Sequence, residues 1–107
     1  MQFRGGMSEL MRQASRMQRK VDQRKQELKS ETVEVGVGND QVKVTANGGL
    51  EVVKVVISPE LLTAESLEMA QDLMVAGVNA ALKKAQEMVD AEVEKVTKGI
   101  KLPGGVL

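Results

Sequence analysis

Arg12, Arg16 and Arg19 follow one another at steps of four and three residues, which at ~100° per residue sets them on one face of a helix. A guanidinium is a planar fork that donates in parallel to two oxygens, so this row suits contact with successive phosphates of a polyanion backbone. Lys20, Arg24 and Lys25 extend the basic set along the same segment, and Lys98 and Lys101 form a second group near the other end of the chain. Lys20 and Lys25 flank an apolar seam and can lay their stems along it. For Lys95, Lys98 and Lys101, complementing the end of a helix dipole is an equal reading. An exposed basic face that serves only solubility is the plainer account of the three arginines. The net charge of zero hides a segregation: residues 1–30 hold Arg4, Arg12, Arg16, Arg19, Lys20, Arg24, Lys25 and Lys29 against Glu9, Asp22 and Glu27. Such an imbalance between segments speaks of partners rather than of fold.

Other chemistries find little purchase. The 107 residues include no cysteine and no histidine, which removes thiolates, disulfides, the usual general base and the commonest metal ligand. Glu34, Asp40 and Glu51 fall in or near strand-like segments, and their spacing does not converge them, so no enzyme, cofactor, metal or small-molecule substrate is expected. Gly36-Val37-Gly38 lacks the lysine and the following helix of a phosphate loop. Met7, Met11, Met17, Met69, Met74 and Met88 read as adaptable packing. No apolar run reaches the ~18 residues of a membrane span and no signal peptide is recognised, so a cytoplasmic location is expected. Nothing here reads bases: there is no recognition-helix signature, zinc spacing or aromatic platform.

The elements that must position the basic face can be read in order. Residues 1–6, ending in Gly5-Gly6, are expected to form a flexible arm, and residues 99–107, with Leu102-Pro103-Gly104-Gly105, an irregular tail. From Met7 to about Lys29 the chain predicts a helix. Its seam of Met7, Leu10, Ala14, Met17, Val21 and Leu28 steps by threes and fours and is interrupted at Arg24, where it is expected to loosen. Three strands follow: Thr32–Val37, Val42–Ala46 and Leu50–Ile57. They are joined by Gly38-Asn39-Asp40-Gln41 and by Asn47-Gly48, a strong hairpin signal. Ser58-Pro59 opens a single turn, and Thr63 caps a long helix running to about Lys98. The result is one α+β domain, 1–107: an N-terminal helix, a three-stranded antiparallel meander and a long C-terminal helix.

That last helix predicts association. Leu67, Met74, Val78, Ala81, Ala85, Val89 and Val96 mark one apolar stripe, while Met69, Leu73, Ala76 and Ala80 mark a second on roughly the opposite side. A helix apolar nearly all round must be covered nearly all round, and a chain of this size has a marginal core of its own. A homodimer is therefore expected, with Leu73, Ala76, Gly77 and Ala80 at its interface. Asn79, on the flank, is expected to make a structural hydrogen bond there.

Several segments, in this order, also carry a resemblance: Gly5-Gly6-Met7 with Leu10-Met11-Arg12-Gln13-Ala14 and Met17-Gln18; Val42-Lys43-Val44-Thr45-Ala46-Asn47-Gly48; Val55-Val56-Ile57-Ser58-Pro59-Glu60-Leu61-Leu62; Asp72-Leu73 with Asn79-Ala80-Ala81; and Leu102-Pro103-Gly104. Taken together the chain resembles the YbaB/EbfC family of bacterial nucleoid-associated proteins over nearly its whole length. The resemblance implies a tweezer-like homodimer, a location on the nucleoid, and binding of double-stranded DNA with little or no sequence preference. It favours phosphate contact for the arginine face. A protein-interaction module without nucleic acid, such as a prefoldin-like chaperone, is the alternative. A membrane-surface role for the basic helix is weaker, since that helix has neither Trp nor an internal Phe.

Overall fold

A computed structural model describes the backbone of residues 2–98 and the side chains of residues 6–98. The N-terminal helix α1 spans Gln2–Leu28, strands β1 to β3 span Thr32–Val37, Val42–Asn47 and Val52–Ile57, and the long helix α2 spans Leu67–Lys98. Two single 3-10 turns, Pro59–Leu61 and Ala64–Ser66, link β3 to α2. α1 thus begins five residues ahead of the expected start, through Gly5-Gly6, where the sequence predicts a flexible arm. Glycine costs a helix about 1 kcal/mol each without breaking its hydrogen bonds as proline would. The irregular tail expected at 99–107 lies outside the described residues.

The strands form an antiparallel sheet in the order β1-β2-β3. At the first hairpin Gly38, Asn39 and Asp40 all have positive φ, which accounts for their residue types. The second hairpin differs from a two-residue Asn-Gly turn. Asn47 ends β2, and Gly48-Gly49-Leu50 make the loop, with Leu50 at φ 61° in the position of a left-handed bulge residue. The Asn47 side chain holds this loop, its Oδ1 accepting from Gly49 N at 2.9 Å and Glu51 N at 3.2 Å. Leu50 therefore belongs to the turn, and β3 starts at Val52. Thr63 caps as expected, its hydroxyl accepting from Ser66 N at 3.2 Å.

α2 lies across the inner face of β1 and β2 and meets β3 only at its margin. Val42, Val44 and Ala46 of β2 are fully buried beneath Ala70, Ala81 and Ala85. In its second half the helix buries the stripe that the sequence predicts. In its first half it is rotated: Ala70 and Gly77 face the sheet, while Leu67, Met74 and Val75 stay exposed. The reason lies at Gly77, where a Cβ would sit 2.9 Å from Val44 Cγ2 and 3.3 Å from Val37 Cγ2. Gly77 therefore lets α2 approach its own sheet, and Leu73 packs over the Gly38 turn. Gly77 and Leu73, which the periodicity predicts at a dimer interface, pack within the single chain against its own sheet and first hairpin. Replacing Gly77 with Ala is expected to destabilise the fold by about 1–2 kcal/mol, because overpacking two stiff valines outweighs the gain in helix propensity. Urea unfolding checks the sign.

The inner face of β3 is not covered. Val52 and Val55, which pair with buried Ala46 and Val44, are exposed, as is Val53 at the bulge beside them, while exposed Val56, opposite Lys43, lies on the outer face. Beside them Ile57, Leu61, Leu62, Leu67, Ala70 and Met74 line an open apolar hollow of about 360 Å³. A second hollow, of about 340 Å³, is framed by Met74, Val75, Val78 and Asn79; Asn79 is exposed there and its side chain makes no hydrogen bond among the described residues.

Candidate nucleic-acid interface

α1 is rooted at one end and free along most of its length. Leu28 is fully buried, and its carbonyl accepts from Gly48 N at 3.0 Å, which ties the last turn of α1 to the second hairpin. Val21, Met17 and Gln13 are half-buried, whereas Leu10 and Met7 are exposed. The seam thus tightens toward the C-terminal end and opens toward the start, the reverse of the expectation. α1 and α2 run antiparallel from the sheet and form an arm, consistent with a radius of gyration of 20.9 Å against about 13 Å for a compact chain of this length.

Arg12, Arg16 and Arg19 lie on the side of this arm away from the seam, and all three are exposed. Arg16 and Arg19 make no ion pair with any described residue, and Arg12 touches Glu9 at only 3.5 Å. A pair so long and so exposed is worth little, so the three guanidiniums are available as one strip. Gln23 continues it without adding charge. Lys20 and Lys25 are also exposed and unpaired among the described residues.

Arg24 is different. Its Nη1 donates to Glu27 at 3.1 Å and to Glu31 at 2.7 Å, and its Nη2 to Glu92 of α2 at 2.6 Å. Three carboxylates thus engage it within the chain, unlike the three arginines of the strip. Hydrogen bonds to Glu92 and then Glu31 hold the guanidinium even more firmly in its charged form. Glu92 in turn accepts from Lys95 at 2.6 Å, and Lys95, then Arg24, pull its carboxyl below the ordinary range. Lys98 pairs with Glu94 at 2.9 Å one turn away, a surface pair between two exposed side chains that is worth little. Lys101 lies outside the described residues.

Lys43, Lys54, Lys83 and Lys84 stand outside the basic set that the spacing predicts. Lys43 and Lys54 stand on the outer face of the sheet, exposed and without an acidic partner among the described residues. Their place in alternating strands signals that outward direction. Lys84 reaches from α2 to the carbonyl of Glu34 at 3.2 Å, which guards the outer edge of β1. Among the described residues no cluster of three acidic, His or Cys side chains could hold a metal, and no helix is long and apolar enough to cross a membrane.

Comparison with known proteins agrees with this architecture. A crystal structure of an uncharacterized protein from Helicobacter pylori superposes with a TM-score of 0.62 at 24% identity, over 73% of this chain and 90% of that one. The chain is 45% identical over 100 residues to a nucleoid-associated protein of Pelotomaculum thermopropionicum, covering 94% of this chain and 95% of the other. It is 46% identical to one of Moorella thermoacetica, covering 94% and 96%. The model of the YbaB/EbfC DNA-binding family matches residues 3–100, so the chain belongs to that family.

Proposed function

We propose that the chain is a nucleoid-associated protein that binds duplex DNA as a homodimer, mainly through phosphate contacts from the arginine strip of α1, with little sequence preference. The single observation that carries this reading is the strip itself. Arg12, Arg16 and Arg19 stand together on the outer side of a projecting arm, and their own protein leaves them nearly unneutralised. The names of the relatives point the same way. Two such arms, one from each chain, follow a phosphate backbone, and contacts to phosphate position a protein on the duplex without carrying sequence information.

The dimer is supported by the uncovered inner face of β3. Its valines continue the apolar surface that β2 buries, and the adjoining Leu62, Leu67, Met74 and Val75 are exposed as well. A second copy covers this surface best, because the same patch on both chains is self-complementary about a two-fold axis. This surface lies on the β3 side of α2, away from Ala76 and Ala80.

Gel-shift titrations across salt concentrations test the site. Each phosphate neutralised contributes about −0.9 to the slope of log K against log salt. Replacing Arg12, Arg16 and Arg19 with Ala in both chains is expected to make the slope shallower by up to about 5 and to leave the dimer intact. Unrelated duplexes of equal length are expected to bind within a few-fold of one another. An unchanged slope in the triple variant assigns the contacts elsewhere.

A further inference from the structure

We propose that Arg24 is a positioning residue for DNA binding: by joining Glu92 of α2 to Glu31 at the entry of β1, it fixes the direction in which the arginine strip leaves the body. The inference rests on the DNA-binding reading above and adds a residue that touches no DNA.

Arg24 occupies the seam position where an apolar side chain would be the ordinary choice. Its neighbours along that face, Val21 and Leu28, are apolar. It is the most tightly held cation among the described residues, with only 23% of its side chain exposed, and Glu92 is similarly covered at 22%. The distances are short and the geometry branched: Nη1 bridges Glu27 and Glu31 while Nη2 takes Glu92. Glu92 uses Oε1 for Arg24 and Oε2 for Lys95, so it is locked from both sides. The cluster therefore ties three elements together: α1, the start of the sheet, and α2. It lies where firm support for α1 ends, since the next residues toward the N-terminus on that face are half-buried and then exposed. A hydrophobic residue at this position would let the helices slide or roll; a forked, directional ion pair admits one register. Arg16 is eight residues further along the helix, so a small change of angle at the clip is magnified at the strip.

The chain has no cysteine, so spin labels can be placed cleanly at S15C on the arm and K43C on the outer face of the sheet, both exposed positions. Labelled protein is diluted into unlabelled protein and measured without DNA. The parent is expected to give one narrow distance distribution, and E92Q and R24Q each a broadened or shifted one. An arm correctly aimed only a tenth of the time binds about tenfold more weakly, so both variants are expected to lose about tenfold in DNA affinity. Their salt slopes should match the parent, because no phosphate contact is removed, and R24Q/E92Q should be no weaker than either single variant. Unchanged label distances in both variants overturn the proposal. So does a shallower slope in R24Q with full affinity in E92Q, which would make Arg24 itself a phosphate contact. If the arms do not bind DNA at all, the triple Arg12/Arg16/Arg19 variant reveals it by keeping its affinity, while the label distances judge the clip independently.

Discussion

Val53→Glu and Val75→Glu are each expected to convert a dimer into a folded single chain, visible as a halved mass in sedimentation equilibrium at micromolar concentration. In one chain these side chains are 53% and 63% exposed, and substitution of residues so open ordinarily changes folding stability by less than about 0.5 kcal/mol. Between two chains the balance is different. A carboxylate forced into an apolar interface without a partner costs several kcal/mol, and every ~1.4 kcal/mol is tenfold in dissociation constant. A weakening of 100-fold or more is therefore expected, with the far-UV spectrum of the folded chain retained. DNA affinity should fall with the dimer, since one arm offers half the phosphate contacts and loses the gain from simultaneous engagement. Dimers that persist in both variants would exclude the β3 face as the interface.

The physics behind that proposed interface was only half legible in the sequence. Alternation and turn chemistry gave β1 its full extent and placed the other two strands to within a residue or two, since local signals at Gly38-Asn39-Asp40 and Asn47-Gly48 dictate local structure. That α2 has more apolar surface than one sheet face can cover was also readable from its periodicity. Which side of α2 remains bare was not. That depends on the rotation of the helix, and the rotation is set by the close fit of Gly77 over Val44 and Val37, a contact across more than thirty residues of chain. A glycine in an apolar helix signals close approach to something, but not to what. Here it is the chain's own sheet.

The arginine strip shows the same division. Spacing alone puts Arg12, Arg16 and Arg19 on the side of α1 away from the seam, because a helix face is a local property. Spacing could not separate them from Arg24, which has the same residue type on the same helix. What distinguishes Arg24 is Glu92, sixty-eight positions away, and only the antiparallel register of α1 against α2 brings them together. The interrupted seam was a signal that could have been used: a basic residue in an apolar row needs a buried acid opposite. Charged residues that hold a fold together and charged residues that await a partner look alike until their neighbours are known.

Gly48→Ala is expected to be among the most damaging single-residue changes in the chain. An alanine Cβ there would lie 2.3 Å from the carbonyl oxygen of Leu28, 2.7 Å from its carbonyl carbon and 2.8 Å from its Cβ. Those atoms belong to the backbone at the end of α1 and to a side chain with no exposure, so they cannot swing aside as a flexible side chain would. The last turn of α1 must move, and with it the two bonds that Gly48 N makes to Leu28 O and Glu31 O, each 3.0 Å. Overpacking of this kind costs about 1–3 kcal/mol, and straining the bonded backbone groups adds about 1 kcal/mol more. At 4–8 °C per kcal/mol for a domain of this size, a fall in Tm of about 10–30 °C is expected in thermal unfolding at fixed protein concentration. Gly49→Ala is the control: its nearest neighbour is Asn47 Oδ1 at 3.1 Å, an atom that need give by only a few tenths of an ångström, and a fall of only a few degrees is expected. The hairpin glycine is thus also the seat of the arm, and its replacement should loosen the same joint that Arg24 clamps from the other side. A Gly48→Ala protein that melts with its parent would show that α1 is held by its seam alone.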